Sequence, residues 1–312
     1  PRDLSYDAVA GFLEIYTERG LKTFRDIVNN SITEQISVDD AVFSPNDPNN
    51  QSVNAKLCSD IALTEDNWEP IGNSEHFYQG IFDGNGKCVT NLKINSNTST
   101  DLGFFCCVQD ATIENLYVQG NINCNSSYNI GGIVGQANNS VTIKNCINNV
   151  EITNDNSSIS VGGILGLSSG VVNINSCVNI AEITNGYSVA GIFGYGSSIV
   201  TINNCLNLGS ITMNGTYNAV AGIANISGDL EKLSSVTSCI NASSIQGKDE
   251  DDNIYPIAYI SSSPNATLSN NYYDSTILPT VTLVTNVQPK NSSELDGLSL
   301  EGWDNANSDS QY

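Results

Sequence analysis

Catalysis needs acids, bases, nucleophiles or metal ligands at workable spacing, and few positions in this sequence qualify. Nine cysteines come first, and an odd total prevents complete intramolecular pairing. Four of them, Cys146, Cys177, Cys205 and Cys239, recur at intervals of 31, 28 and 34 residues. Stacked in register, such cysteines come within disulfide range, but parallel side chains resist the perpendicular dihedral a disulfide requires. They are expected as buried reduced thiols that pack like small hydrophobes. There is no Cys-x-x-Cys, so zinc is not expected. Cys106 and Cys107 are adjacent on an extended segment and are expected to point to opposite faces.

The one histidine, His76, excludes paired-histidine zinc sites and leaves any Ser or Cys nucleophile a single imidazole base. It is expected to pack or lie at the surface, so proteolysis is not expected. Glu151 and Glu182 fall at equivalent repeat positions, where a spacing of about 5 Å between neighbouring carboxylates suits a retaining glycosidase or bound Ca²⁺. Ser210 and Ser244 follow in that slot, which points instead to a solvated column. From residue 112 to residue 245 the bases are Lys144 and Lys232, with no arginine, where a polysaccharide lyase needs a cation and a proton acceptor. Lys248-Asp249-Glu250-Asp251-Asp252-Asn253 reads as a solvated acidic loop lacking EF-hand spacing, and Asp83-Gly84-Asn85-Gly86 as a turn. Asn214-Gly215-Thr216 and Asn265-Ala266-Thr267 match the glycosylation pattern, as chance allows in so Asn-rich a chain. No catalytic, cofactor-binding or metal residue is assigned.

Composition narrows the function further. The 312 residues carry 11 Lys+Arg against 33 Asp+Glu, a formal net charge of -22. No basic surface is available to displace counterions from nucleic acid or to dock on anionic lipid. No apolar run is long enough to span a bilayer. A start at Pro1-Arg2-Asp3 is expected of a mature or trimmed chain.

Internal repetition sets the architecture. Ile130-Gly131-Gly132-Ile133-Val134-Gly135 recurs at 161–166, 189–194 and 220–224, each time followed by a block such as Val141-Thr142-Ile143-Lys144-Asn145-Cys146-Ile147-Asn148. A third short block, Glu151-Ile152-Thr153 in the first unit, closes each repeat. Units of about 30 residues made of alternating apolar segments broken by Gly, Asn and Ser are strands that share a core only when stacked. The expected fold is all-β, a right-handed parallel β-helix of three strands per turn, with six or seven coils about 4.8 Å apart. Val141 and Ile143 share a face but Cys146 follows at an odd step, so the chain must bend at Asn145. Asn91, Asn115, Ser176, Asn204, Ser238 and Asn270 are read into the same corner slot, since these types tolerate left-handed backbone or bond their own main chain. Asn148, Asn179, Asn207 and Asn241, each two residues past a cysteine, are expected to form an amide ladder.

Open β-helix ends need covers. Residues 1–55 are expected to form an N-terminal cap with an amphipathic helix presenting Leu21, Phe24, Ile27 and Val28, residues 56–275 the β-helix, and residues 276–312 an extended C-terminal cap that uses Leu298, Leu300 and Trp303.

Ala55-Lys56-Leu57-Cys58-Ser59-Asp60-Ile61-Ala62-Leu63, Trp68-Glu69-Pro70-Ile71-Gly72, Gly80-Ile81-Phe82-Asp83-Gly84-Asn85-Gly86-Lys87 and the Gly-Gly-Ile-Val-Gly and Asn-Cys repeats resemble bacterial proteins with GLUG-motif repeats. Such repeats are found also in non-catalytic regions of immunoglobulin A-cleaving metalloproteases. Lys87, where that family tends to have His, and Cys106, in a slot otherwise Gly, depart from the pattern. The resemblance covers roughly residues 15–275 and implies a secreted or cell-surface, often adhesin-like β-helix, and the scarcity of paired acids and bases leads to the expectation of a non-enzymatic scaffold. Its expected partner is an extracellular glycan or host protein. The alternative is a carbohydrate-active β-helix enzyme, a polysaccharide lyase or glycoside hydrolase.

Overall fold

The computed structural model describes residues 2–98, 101–125, 128–154, 160–214, 219–227, 233–248, 253–261, 266–282 and 285–296. Alternation makes the strands. In Val171–Asn175, Val172 and Ile174 are buried while Asn175 is exposed. Each such strand pairs in parallel with its counterpart one repeat away, so Phe82, Ile113, Ile143, Ile174, Ile202, Val236 and Leu268 form one interior column. The chain is a parallel β-helix of about six turns.

Within a coil, the first repeat block serves two sheets. Asn129–Gly131 ends one strand and Val134–Asn138 begins the next, because Ile133 and Val134 are adjacent yet both fully buried, which a straight strand does not allow. The second corner lies where parity requires it. Asn115, Asn145, Ser176, Asn204, Ser238 and Asn270 all have φ of 53–54°. Asn91 also turns, at φ 61°, but it does not share this slot. Val89 pairs with Val118, and Lys87 with Leu116, which places the equivalent corner at Asp83-Gly84-Asn85-Gly86, where two extra residues shift the register.

Behind that corner the interior carries two polar files. Cys146, Cys177, Cys205 and Cys239 are fully buried and free. Next to them Asn148 donates from Nδ2 to Asn179 Oδ1 at 2.8 Å, Asn179 to Asn207 at 2.8 Å, and Asn207 to Asn241 at 2.9 Å. All four amides are 0% exposed, so each rung avoids the desolvation cost of an unpaired amide, about 1–3 kcal/mol. The second glycine of each Gly-Gly or Ala-Gly pair faces this ladder. A Cβ on Gly163 would lie 2.5 Å from Asn179 Cγ, and one on Gly222 2.5 Å from Asn241 Cγ. The two motifs are therefore one device, glycine giving the room that the amide fills.

The N-terminal end is closed as its pattern requires. Helix α1 (Glu18–Val28) is capped by Thr17, whose side chain accepts from Gly20 N at 3.2 Å, and it buries Leu21, Phe24, Ile27 and Val28. Phe24 meets Tyr78 and Phe82, each with ring centroids at 5.7 Å. Trp68 stacks on Phe104 at 5.5 Å, with the Arg25 guanidinium 5.0 Å from the Trp68 ring centroid. Phe12–Ile15 is itself a rung, parallel to Ala55–Leu57, and the antiparallel strand Leu4–Asp7 covers its free edge. At the far end Val287–Lys290 pairs in parallel with Asn271–Asp274. Leu298, Leu300 and Trp303 lie outside the described residues.

Candidate functional site

Most side chains with acid–base chemistry lie on the coil surfaces, in columns or ion pairs set by the winding. Glu151 and Glu182 are neighbours in one column, since Ile152 pairs with Ile183, and both are exposed. Thr212 Oγ1 donates to Glu182 Oε1 at 3.5 Å. The column continues to Ser210 and Ser244, as Ile183–Ile211–Ile245 pairing requires. Lys144 Nζ is held by Glu114 at 2.8 Å. His76 Nε2 lies 3.4 Å from Asn30 Nδ2 while its main-chain N–H donates to Asn73 Oδ1 at 2.8 Å, a packing role at the foot of the cap. Lys232, Asp249, Glu250, Asp251, Asp252, Thr216 and Asn265 lie outside the described residues. Among the described residues no group of three His, Cys, Asp or Glu side chains is arranged to hold a metal ion.

Six of the nine thiols fall into two kinds, while Cys58 and Cys88 are half-buried and Cys124 is buried elsewhere. Each file cysteine donates to the carbonyl two residues back, Cys146 to Lys144 at 3.3 Å, Cys177 to Asn175 at 3.4 Å, Cys205 to Asn203 at 3.2 Å and Cys239 to Thr237 at 3.2 Å. Burial pushes the thiols of Cys146, Cys177 and Cys205 well up, which keeps them protonated and inert. Cys106 and Cys107 do not point apart. Their sulfur atoms lie 3.0 Å from each other, and both residues are buried. Alternation governs where Cβ points, but the sulfur stands one bond further out and can swing back over the intervening peptide. Cys106 takes the slot of Gly135, as pairing of Phe105 with Val134 and of Cys107 with Gln136 shows.

Asp101 joins this pair. Its Oδ2 accepts from Cys107 Sγ at 3.8 Å and its Oδ1 from Asn129 Nδ2 at 2.7 Å. Burial raises its carboxyl above the ordinary 3.8, with the Asn129 side-chain and main-chain bonds opposing. No local pattern singles out Asp101, because its neighbourhood is made by residues one coil away.

A surface feature was also hidden in the repeat. The residue between each file cysteine and ladder asparagine faces outward, so Tyr117, Ile147, Val178, Leu206, Ile240 and Tyr272 stack into an apolar column. All except Ile240 are half-buried. Ile180 and Leu208 beside it are 39% and 46% exposed.

The fold has a known counterpart. The chain is similar to the crystal structure of a putative immunoglobulin A1 protease from Bacteroides ovatus, with a TM-score of 0.61, covering 90% of this chain and 85% of that one. At 18% identity the likeness is one of fold, a β-solenoid. No protein-family model and no curated protein sequence matches the chain.

Within that solenoid the chemistry divides by position. Most carboxylates lie on outer faces, with Asp101 half-buried and Asp274 buried, the file thiols line the interior, and a continuous apolar column runs along one outer face. Among the described residues no helix is long and apolar enough to cross a membrane.

Proposed function

We propose that this β-helix is a non-enzymatic secreted or cell-surface module of the GLUG-repeat type, presenting its outer face to an extracellular host protein or glycan. The observation that supports this reading is the column from Tyr117 to Tyr272. Outward positions of the strands before and after it carry Asn, Ser, Thr, Lys and Glu, whereas this one repeats Ile, Val and Leu between two tyrosines. Half-buried apolar side chains repeated along one outer line, with Ile180 and Leu208 39% and 46% exposed beside it, are the kind of surface that partners cover. The aliphatic centre favours a protein partner, since sugars stack on aromatic rings. The fold counterpart's description makes immunoglobulin A1 the first host protein to assay.

Purified chain is measured against immobilised immunoglobulin A1, other secreted host glycoproteins and a glycan array. Saturable binding to one of them is expected, weakened at least about tenfold, or about 1.4 kcal/mol, by Val178→Ser with Leu206→Ser. An unchanged unfolding midpoint shows that the variant is folded. Binding indifferent to these substitutions overturns the assignment of the surface. Turnover of a polysaccharide or of immunoglobulin A1 by the purified chain overturns the non-enzymatic reading.

A further inference from the structure

We propose that Cys106 and Cys107 form a reversible vicinal disulfide, a redox site at the junction of cap and β-helix. Their sulfurs are 3.0 Å apart, so closing to a bond length of about 2.05 Å moves them by roughly one ångström. The main chain on both sides is fixed by the preceding coil. Cys106 N donates to Ile71 O at 2.9 Å, and Tyr78 N donates to Cys107 O at 3.0 Å. The file cysteines have main-chain carbonyls as acceptors. The Cys107 thiol is pushed up as those of Cys146, Cys177 and Cys205 are, by the adjoining Cys106 sulfur first and by burial, so what sets the pair apart is the 3.0 Å approach of two sulfurs and the Asp101 carboxylate beside Cys107. Cys106 retains 8% exposure against 1% for Cys107, so of the pair Cys106 is the sulfur a reagent meets first. The Asp101 carboxylate, 3.8 Å from Cys107 Sγ, is placed to take the second proton.

The reaction is a thiol–disulfide exchange with a small disulfide such as oxidised glutathione. The Cys106 thiolate attacks one sulfur of the donor, making a mixed disulfide and releasing one glutathione thiolate, which takes up the Cys106 proton. Cys107 then passes its proton to Asp101 and attacks the Cys106 sulfur. The second glutathione leaves as thiolate and collects that proton from Asp101. Two protein thiols are oxidised, the donor disulfide is reduced to two thiols, and atoms balance. A bridge between adjacent residues encloses almost no chain, so it adds little stability through the unfolded state. It acts on local shape. The strand it stiffens begins with Phe105, which packs on Tyr78 at 5.4 Å and on Phe82 at 5.2 Å beneath helix α1. The pairing needs only an oxidising donor and stands independently of the binding partner proposed above.

The test incubates the native chain with oxidised glutathione, alkylates it under denaturing conditions and digests it for mass spectrometry. The peptide holding Cys106 and Cys107 is expected two hydrogens lighter and unalkylated, reverting with dithiothreitol, while Cys146, Cys177, Cys205 and Cys239 are alkylated. Cys107→Ser is expected to trap a glutathione adduct on Cys106. Cys106→Ser is expected to leave Cys107 unmodified. Asp101→Asn is expected to slow ring closure about tenfold, so that the mixed disulfide accumulates. Alkylation of both residues after oxidation, or a bond from either to a different cysteine, overturns the proposal. The wild-type measurement decides this even if a variant fails to fold.

Discussion

A single amide carries a disproportionate share of the order at the centre of this molecule. Asn179 donates to Asn207 and to Ala181 O and accepts from Asn148, with no exposure to water. Asn179→Leu leaves Asn148 Nδ2 and Asn207 without their rung partners, at about 1–3 kcal/mol for each orphaned group. We expect a loss of about 3 kcal/mol in denaturant unfolding, whereas removal of an outward amide such as Asn173 changes stability by less than about 0.5 kcal/mol. Two carboxyls respond to pH with opposite sign. Burial lifts Asp101 above 3.8, so the folded chain holds that proton more tightly than the unfolded one, and this group's contribution falls as pH rises through the window above 3.8. Burial also acts to raise Asp274, but Ser292 and the amides of Thr276 and Ile277 outweigh it and hold the carboxyl below 3.8. Its contribution is full above 3.8 and is lost as pH falls through the lowered value. At pH 7, Asp101→Asn is therefore expected to raise the unfolding midpoint and Asp274→Asn to lower it. Titrating both variants and the wild type by denaturant toward acid should show the Asp101→Asn gain vanish below its ordinary value.

At the scale of elements, helix α1 is the plug on which the first coils depend. Phe24 is fully buried against Tyr78 and Phe82, and its truncation to Ala is expected to cost about 3–5 kcal/mol. In a stacked array the loss is local, since each coil touches only its neighbours. Hydrogen exchange should quicken first in residues 55–96 and leave 171–212 protected; uniform quickening would mean that the array unfolds as one unit. The helix, the coil spacing and the corners were legible in the sequence because each rests on a local pattern: stripe, period and parity. Asn91 was misplaced because two inserted residues at Asp83–Gly86 shift the register, and period counting assumes a constant turn length. Cys106 and Cys107 were misread because alternation speaks for Cβ and not for the sulfur beyond it. Asp101 was invisible for a third reason, that its partners Asn129 and Cys107 become its neighbours only through winding.

For the whole molecule, 33 acidic against 11 basic side chains on one rod means that self-repulsion opposes folding at neutral pH. Salt screens it, so raising NaCl from about 20 mM to about 200 mM is expected to raise the melting temperature, and a fall would show that the ion pairs around α1, Lys22 with Glu18 and Glu65 and Arg25 with Glu65, dominate instead. The amide ladder begins at Asn148 and stops at Asn241, whose Nδ2 is buried without a partner because the next coil places Tyr273 in that slot. Each coil between them brings one donor and one acceptor and passes the same pair to its successor. A coil copied whole and spliced next to its parent would meet the neighbours it already fits. Tandem duplication in the gene can thus lengthen this rod, and unequal exchange shorten it, without any compensating substitution, so that its length becomes a trait selection can adjust one winding at a time.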